Sequence, residues 1–409
     1  MKMEMIEEAA KVLKGTIVHT PIFKANQIHK NLFIKAENLQ RTGAFKLRGA
    51  YYKLSTLTQE EKQRGVVAAS AGNHAQGVAY ACAEMKIQCT IVMPTTAPLT
   101  KVEATRSYGV NVELVGDSFH EAYMHAKKLQ ESTGAIFIEP FNDERIIAGQ
   151  GTIGLEILEE VPDVDVVFIP VGGGGLASGI AYAIKSKRPH CKVYGVQAKG
   201  AASMYQSLQQ GKIVTLPQVA TIADGIAVKA PGDITFALCK QYLDGIVLIE
   251  EEEIAASILV LLEKMKVVSE GAGAVAVAAA MFEKVNLDNQ KCVAVLSGAN
   301  IDVNFLSRII DLGLLKTGRK VILKMQINDK PGYLSKVIDL IADAGANIIR
   351  IAHDRETKDV LSLKCNVHFY LETISQEHIQ QIMDMLHEHG YIVEVVSEPI
   401  KKLNGEYHP

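Results

Sequence analysis

Glu37-Asn-Leu-Gln-Arg-Thr-Gly-Ala-Phe-Lys-Leu-Arg-Gly-Ala50 is the stretch from which the fold and chemistry of this chain can be worked outward. Lys46 stands at its centre, after a turn-forming Thr42-Gly43 and before a run that favours a helix. A lysine near a helix start meets N–H dipoles and apolar neighbours, and both disfavour its positive charge. Such an amine loses its proton more easily and can form an imine with an aldehyde. Lys46 is therefore a candidate catalytic residue, and a solvated surface lysine is the alternative.

The composition indicates a globular protein of two or three domains, because 409 residues are too many for one ordinary core. A formal net charge of -3 gives no electrostatic reason to expect nucleic acid or an anionic membrane as a partner. No run approaches the ~20 apolar residues of a membrane helix. The six cysteines lack CxxC pairing, which predicts a reducing compartment, the cytoplasm, rather than a disulfide framework or a zinc site.

Apolar β-branched runs alternate with helical patterns along the first three quarters of the chain. This alternation is typical of parallel sheets covered on both faces, and it predicts two doubly wound units in succession. The expected strands are 17–19, 32–36, 66–69, 89–93, 111–115, 164–171, 192–196 and 291–296. The expected helices are an N-terminal helix and those at 74–86, 97–108, 118–131, 149–160, 176–187 and 251–266.

A different pattern begins after a short polar joint at residues 315–320. Strands at 321–327, 346–353, 361–372 and 391–397 are expected, with helices at 331–344 and 375–389. This β-α-β-β-α-β order in roughly 80 residues predicts the split-βαβ sandwich, whose antiparallel sheet can pair with a partner. We therefore expect a region at 1–315, a linker at 316–320 and a separate domain at 321–409.

Val171-Gly-Gly-Gly-Gly-Leu176 follows a buried strand and opens a helix. Glycines let the backbone approach an anion closely, and their N–H groups join the helix start in binding a phosphate. A dinucleotide loop is the rival, but it needs an acidic residue about 20 positions on. The next strand ends in Gln197-Ala-Lys199, without a carboxylate. Four consecutive glycines therefore indicate a compact single phosphate, with a plain flexible turn as the alternative.

Two further loops join a strand to small residues. Ser70-Ala-Gly-Asn-His-Ala-Gln-Gly77 exposes backbone N–H groups suited to a carboxylate, with the Asn73 side chain free to hydrogen-bond a ring substituent. An ordinary N-cap turn is the alternative, and for His74 alone it is the better interpretation. Leu296-Ser-Gly-Ala-Asn-Ile301 places Ser297 either as a helix cap or as a partner for a heterocyclic nitrogen.

An amine, a single-phosphate loop, a carboxylate loop and a neutral hydroxyl together describe a pyridoxal phosphate site. Segments 41–46, 70–75, 172–176 and 297–300 closely resemble the fold-type II pyridoxal phosphate enzymes. Among these, the sequence resembles the threonine dehydratases (threonine ammonia-lyases) that carry a C-terminal ACT domain, in the family's motif order and over essentially the whole chain. The resemblance implies two doubly wound parallel-sheet domains, the smaller at roughly 40–140 inserted in the larger, plus a ferredoxin-like ACT domain.

The resemblance also assigns roles to individual residues. It makes Lys46 the Schiff-base lysine, with Phe45 packed against the cofactor ring and Asn73 on the ring's 3′-oxygen. Gly172, Gly173, Gly174, Gly175 and Leu176 become the phosphate loop, and Ser297 the partner of the pyridine nitrogen. Ser70, Gly72 and His74 would lie in the loop that meets the substrate carboxylate. The implied reaction is deamination of L-threonine to 2-oxobutanoate and ammonia, with L-serine as a second substrate.

Two departures from the related serine racemases are informative. Those enzymes resemble this chain but carry a second serine directly before Gly-Asn-His, where Ala71 stands here. Racemisation would therefore lack its second acid/base. The racemases also bind a divalent ion through a carboxylate pair, and the matching positions here are Gln197 and Ser203. No divalent metal is expected at that place, and a monovalent ion held by backbone carbonyls is the alternative. Serine dehydratase or racemase, a nicotinamide dehydrogenase and a catalytically dead amino-acid sensor remain the alternatives.

The C-terminal region carries Asn328-Asp-Lys-Pro-Gly-Tyr-Leu334 and Ala344-Gly-Ala-Asn-Ile348, a turn and a helix exit that look like those of an ACT domain. The resemblance implies an amino-acid or nucleotide effector, with isoleucine, valine and AMP as candidates, at the interface of two such domains. A purely structural dimerisation module is the alternative. A homo-oligomer, dimer or tetramer, is expected in either case.

Overall fold

The computed structural model describes residues 1–355 and 363–396 of the chain. It divides the chain into two compact units, Met1–Leu306 and Ser307–Pro409. The first residues of the strand expected at 361–372, the end of the strand expected at 391–397 and the tail to 409 lie outside the described residues.

The bounds of the elements are as follows. The helices are α1 Met3–Leu13, α2 Lys46–Ser55, α3 Gln59–Arg64, α4 Asn73–Met85, α5 Leu99–Arg106, α6 Phe119–Thr133, α7 Glu144–Glu160, α8 Gly175–Lys187, α9 Ser203–Gln210, α10 Asp233–Tyr242, α11 Glu251–Val260, α12 Gly271–Met281, α13 Val303–Lys316, α14 Tyr333–Asp343 and α15 Gln376–Glu388. The strands are β1 Ile22–Lys24, β2 Leu32–Ala36, β3 Val66–Ala69, β4 Cys89–Met93, β5 Asn111–Leu114, β6 Ile136–Phe137, β7 Val166–Pro170, β8 Lys192–Ala198, β9 Gly245–Ile249, β10 Cys292–Leu296, β11 Lys320–Asn328, β12 Asn347–Asp354, β13 Lys364–Glu372 and β14 Val393–Val395.

The first unit contains two sheets, which confirms the prediction of two doubly wound parallel-sheet layers. The larger sheet has six strands in the order β1-β2-β10-β7-β8-β9, with β1 antiparallel to β2 and the other neighbours parallel. The smaller sheet, β5-β4-β3-β6, is entirely parallel. Its strands fall between β2 and β7 in the chain, so the smaller layer interrupts the larger one. The central strands β3, β7 and β10 are wholly buried, as their continuous apolar sequence requires.

The second unit has the predicted β-α-β-β-α-β order, as an antiparallel sheet β12-β13-β11-β14 with α14 and α15. Alternate residues of β11 and β13 enter its core, where Phe369 and Val367 pack with Val337 of α14 and Ile382 of α15. Helix α13 ends at Lys316 and β11 begins at Lys320, with a turn between them at the expected polar joint. No described helix in either unit is long and apolar enough to cross a membrane.

Several element predictions were wrong for identifiable reasons. Residues 17–19 form no strand, because the backbone of Val18 pairs instead with the side-chain amide of Gln40, at 2.9 Å in both directions. Helix α7 begins at Glu144 rather than 149, because the Asp143 carboxylate caps it by accepting from two backbone N–H groups. Strand β9 and helices α10 and α12 were not predicted, and α12 is apolar on all sides, so it has no polar face to reveal its period.

A buried network of charges holds α2, the helix that begins at Lys46. Arg48 is fully buried and donates to both oxygens of Glu37, at 2.8 and 2.7 Å, and to both oxygens of Glu156 of α7, at 2.6 and 2.8 Å. Lys35 of β2, also buried, lies 2.6 Å from the second carboxylate. Where α2 and α7 cross, a Cβ on Gly149 would lie only 2.6 Å from the Cα of Gly49, so the two helices touch backbone to backbone.

Arg48→Met should lower the free energy of unfolding by about 3–5 kcal/mol, because it leaves the buried Glu37 carboxylate without its cationic partner. The matched control is Arg106→Met, which removes an exposed pair with Glu103 and should cost less than about 1 kcal/mol. Urea unfolding followed by circular dichroism measures both. Equal losses in the two variants would show that the buried network adds nothing beyond an exposed ion pair.

Candidate active site

The carboxyl ends of three buried strands carry the predicted loops to one region of the first unit. Strand β3 ends at Ala69 before Ser70, β7 ends at Pro170 before the glycines, and β10 ends at Leu296 before Ser297. In open α/β sheets this end of the strands is where ligands bind. The hydrogen bonds described below connect these loops to the start of α2.

Lys46 is the first residue of α2, as the sequence predicted, and its Nζ donates to the carbonyl oxygen of Pro140 at 2.7 Å. The ammonium group also lies 5.4 Å from the ring centre of Phe45. Burial lowers the pKa of Lys46 to about 8, and the nearby Glu270 opposes that shift. A larger share of this amine is therefore unprotonated near neutral pH than of an ordinary lysine.

Ser297 lies beside Lys46 because their segments pair through the backbone. The N–H of Phe45 donates to the carbonyl of Ser297 at 3.1 Å, and the N–H of Ala299 donates to the carbonyl of Gly43 at 2.9 Å. The Ser297 side chain is buried, and its Oγ is 3.4 Å from the carbonyl oxygen of Ala272. So long a contact is a weak hydrogen bond, which leaves the hydroxyl able to turn to a better partner.

The glycine loop is shaped to receive an anion. The carbonyl of Gly173 accepts from Thr235 Oγ1 at 2.6 Å and that of Gly174 accepts from the Ser178 N–H at 2.8 Å. The first N–H groups of α8 have no partner within the helix and remain available to a ligand. Gly174 has a φ of +97°, and a side chain on Gly173 would collide with the ring of Phe141. Phe141 follows Pro140, so the loop and the Lys46 amine contact consecutive residues.

Asn73 is held in one orientation by two side chains. Its Nδ2 donates to Glu270 Oε1 at 2.7 Å, and its Oδ1 accepts from Asn300 Nδ2 at 2.8 Å. Asn300 is itself fixed by a 2.8 Å bond to the carbonyl of Thr42. The predicted ring-binding amide is therefore tied to the segment that leads into Lys46.

Glu270 is the main functional candidate that the sequence interpretation missed. Its side chain is 3% exposed, and burial raises its pKa to about 8, with Asp224 adding to the shift. The available signal was a carboxylate among small residues, Ser269-Glu-Gly-Ala-Gly273, directly before an all-apolar run. Pro140 and Phe141 were also missed, because no recognisable motif includes them, and Asn300 was quoted within the 297–300 segment without a role of its own.

The predicted substrate loop is partly open and partly occupied. Ser70 Oγ accepts from the N–H of Gly72 at 3.2 Å, and a Cβ on Gly72 would meet no atom within 4 Å. The space above Gly72 can thus admit a ligand. His74 is different, because its ring is buried and Nε2 lies 3.0 Å from the carbonyl oxygen of Ile138. Burial lowers the His74 pKa to about 3, so this ring is neutral and anchors α4. A substrate contact by His74 stays a prediction.

Gln197, where the sequence lacks a carboxylate, is an amide with its own backbone partners. Gln197 Nε2 donates to the carbonyls of Val171 and Ala201, both at 3.2 Å, and its Oε1 accepts from the Tyr205 N–H at 2.8 Å. The side chain therefore links three backbone groups at the base of the glycine loop. Ser203 nearby is buried.

One group of potential metal ligands lies in the described part of the second unit, formed by Asp329, His353 and Cys365. Both oxygens of Asp329 already face Arg355, at 2.8 and 2.9 Å. The carboxylate is therefore neutralised by a guanidinium, and we assign no metal site to this group.

Comparisons with known proteins bear directly on what the first unit binds. The family described as "Pyridoxal-phosphate dependent enzyme" matches residues 13–298, which include Lys46, the glycine loop and Ser297. The chain belongs to the pyridoxal-phosphate dependent enzymes. The family assignment confirms the fold class and the cofactor that the sequence predicted.

Individual relatives of this pyridoxal-phosphate dependent enzyme have two kinds of names. The L-threonine ammonia-lyase of Thermotoga maritima is 49% identical over 398 residues, 96% of this chain and 99% of that protein. The catabolic L-threonine dehydratase of Escherichia coli K12 is 46% identical over 310 residues, 74% of this chain and 94% of that protein. The structure of maize serine racemase is similar with a TM-score of 0.72 and 34% identity, over 77% of this chain and 98% of that chain.

The residues present fit pyridoxal phosphate. The glycine loop, whose carbonyls are engaged and whose side-chain space is filled by Phe141, would hold the phosphate. The Lys46 amine would attach the cofactor's aldehyde, and the weakly held Ser297 hydroxyl would meet the ring nitrogen. Asn73 would meet the ring oxygen with the N–H that Glu270 does not take. These individual roles remain predictions.

Lys46→Ala should abolish both turnover and the visible absorption that the cofactor gives when joined to its lysine, because the amine is removed. The fold should persist, since the Lys46 amine makes one hydrogen bond, to the carbonyl oxygen of Pro140. Lys128→Ala, on an exposed position of α6, is the control and should keep the colour. Absorption and circular dichroism spectra measure both properties. A yellow, active Lys46→Ala variant would contradict the assignment.

Proposed function

We propose that the chain is an L-threonine ammonia-lyase that converts L-threonine to 2-oxobutanoate and ammonia and also acts on L-serine. The observation that carries the proposal is the position of the Lys46 amine, whose pKa is lowered to about 8. The amine donates to Pro140, and the next residue, Phe141, packs against the glycine loop. The names of the Thermotoga and Escherichia relatives support threonine as the substrate.

Different residues of the chain take part in different steps of the elimination. Pyridoxal phosphate, when bound, supplies an aldehyde for the substrate amine and an electron-withdrawing ring that acidifies the substrate Cα–H. Lys46, once free as an amine, accepts that proton, because its lowered pKa keeps an unprotonated form accessible near neutral pH. The loop at Ser70–Gly72 receives the substrate carboxylate, and the open space above Gly72 leaves room for it.

Ser297 favours elimination over reactions that need a strongly electron-accepting ring. A carboxylate at this position would hold a full positive charge on the ring nitrogen, whereas a neutral hydroxyl does not. The Ser297 hydroxyl is buried and has one weak partner, so it can donate to or accept from the nitrogen without carrying charge itself.

Serine racemase is the second candidate, because the maize enzyme shares the fold. A racemase needs an acid/base on the face opposite the lysine, and this chain has Ala71 between Ser70 and Gly72. A methyl group cannot move a proton. A nicotinamide dehydrogenase does not fit the family, and a dead sensor does not fit an intact Lys46 with a lowered pKa.

L-Threonine and L-serine should therefore yield oxoacids and ammonia with negligible D-isomer. Oxoacid formation can be followed with a coupled dehydrogenase, and the remaining amino acid can be examined by chiral chromatography. Ala71→Ser should raise racemisation above that of the wild type, because it adds a hydroxyl on the second face. D-Serine as a main product of the wild-type chain would overturn the proposal.

The second unit is proposed to be an ACT domain that regulates the first. Its β-α-β-β-α-β order supports this, as do the turn at 328–334, where α14 starts after Gly332 with a φ of +85°, and the helix exit at Gly345, with a φ of +80°. An amino acid or nucleotide such as isoleucine, valine or AMP would bind there between two paired units of a homo-oligomer. A place in isoleucine biosynthesis and in the cytoplasm also belongs to this proposal, and all six cysteines are free and buried.

Deleting residues 317–409, which removes the sheet and both helices α14 and α15 of the second unit, should remove any response of activity to an effector. The comparison is between the full chain and a chain ending at Lys316, where α13 ends. Coupling typically changes apparent affinity ~5- to 150-fold, so threonine saturation curves with isoleucine, valine or AMP would show it. Identical responses in the two chains would make the unit structural.

A further inference from the structure

Glu270 is a buried carboxyl group that the proposed function leaves without a task. It occupies the position before α12, where an acidic side chain could cap its own helix, yet it makes no such cap. Its side chain instead meets Asn73 at 2.7 Å, in a position 3% exposed. A buried acid turned away from its own helix and toward a cofactor-facing amide needs an explanation.

The hydrogen bonds of Asn73 show what Glu270 can control. An amide carries two N–H donors and one carbonyl acceptor. The Asn73 carbonyl is taken by Asn300 and one N–H is taken by Glu270. One N–H therefore remains, and its direction is set by the other two bonds. Both neighbours must stay in place for Asn73 to present a donor to the ring oxygen of a bound cofactor.

We propose that Glu270 is a positioning residue that acts through Asn73: its carboxyl group orients the amide and, by changing protonation, alters the donor that the amide presents to the cofactor's ring oxygen. The proposal rests on the proposed function, because it requires the cofactor to be joined to Lys46. It adds a residue to the reaction that neither the motifs nor the relatives' names indicate.

The charges around Glu270 determine which protonation state is present. Asp224 raises the Glu270 pKa and Lys101, its ion-pair partner at 2.6 Å, lowers it by a smaller amount. Asn73 and the Asn300 backbone N–H favour the charged form. Lys46, the remaining nearby charge, interacts with the same carboxyl group. Desolvation outweighs these interactions, and the pKa rises to about 8.

The two protonation states of Glu270 differ in their effect on the charge of the cofactor's ring oxygen. A neutral carboxyl group, present below about pH 8, accepts from Asn73 without placing a charge near the ring oxygen. The carboxylate, present above about pH 8, accepts a stronger hydrogen bond from Asn73. It also repels negative charge on the ring oxygen. The absorption of the bound cofactor reports on the charge of its ring oxygen. It should therefore change with pH as Glu270 titrates.

Protein stability gives a second, independent readout. The folded-state pKa is raised above the ordinary value of 4.5, so folding takes up a proton between about pH 4.5 and 8. The stabilisation of the protonated form is complete below the lower value and is lost as the pH rises through the upper one. Glu270→Gln keeps the shape and the acceptor for Asn73 but removes this titration.

The experiment compares the wild-type holoenzyme with Glu270→Gln and with Glu252→Gln, the same substitution at an exposed position of α11. Absorption spectra without substrate are recorded from pH 6 to 9.5, and urea unfolding is measured over the same range. We expect the wild type and Glu252→Gln to show a pH-dependent spectral change that Glu270→Gln lacks. We also expect Glu270→Gln to lose less stability than the wild type as the pH rises toward 8.

The inference is overturned if Glu270→Gln and the wild type show the same spectral titration. Should Glu270→Gln fail to hold cofactor, Glu270→Asp keeps a titrating carboxyl group and should restore both binding and the pH-dependent change. An aspartate variant that binds cofactor without that change would also overturn the inference. A wild-type chain that takes up no coloured cofactor would instead refute the proposed function, so the two failures are distinguishable.

Discussion

Arg48 lies fully buried two residues after Lys46, and each of its two carboxylate partners comes from a different element. Glu37 directly follows β2 of the larger sheet, and Glu156 belongs to α7. Burying these charges is costly unless every donor and acceptor finds a partner. The guanidinium meets that condition with two carboxylates and the Thr152 hydroxyl. Because the network accepts one arrangement of α2 against the larger sheet, it also fixes where the helix starts and thus where the lysine points.

The rest of the site is assembled on that fixed helix start by short hydrogen bonds between loops. Backbone pairing joins the segment before Lys46 to Ser297, and side-chain amides join it to Asn73 through Asn300. Pro140 and Phe141 connect the lysine to the glycine loop. Each loop follows a strand of a parallel sheet, so rigid strands position flexible small-residue segments. Such an arrangement places an amine, a glycine loop and a buried hydroxyl close together with little freedom to move apart.

The sequence was most informative where a local rule decides the structure. Continuous apolar strands predicted the two parallel sheets. Glycine geometry and the absence of an acid near Gln197 predicted a phosphate loop at 172–176, and its role stays a prediction. Features that depend on distant partners could not be predicted. The Gln40 amide replaces a strand partner for Val18, and nothing local to residues 17–19 reveals it. Glu270 becomes a site residue only because α12, which lacks a polar face, brings it to Asn73.

A crystal structure of the chain grown with pyridoxal phosphate tests the central claim most directly, because the claim concerns which atoms meet the cofactor. The account predicts continuous density from Lys46 Nζ to the cofactor, with the phosphate at hydrogen-bonding distance, about 2.7–3.2 Å, from N–H groups of residues 172–176. It also predicts the Ser297 hydroxyl at the ring nitrogen. Cofactor joined to another lysine, or a phosphate bound away from the glycine loop, would contradict the account.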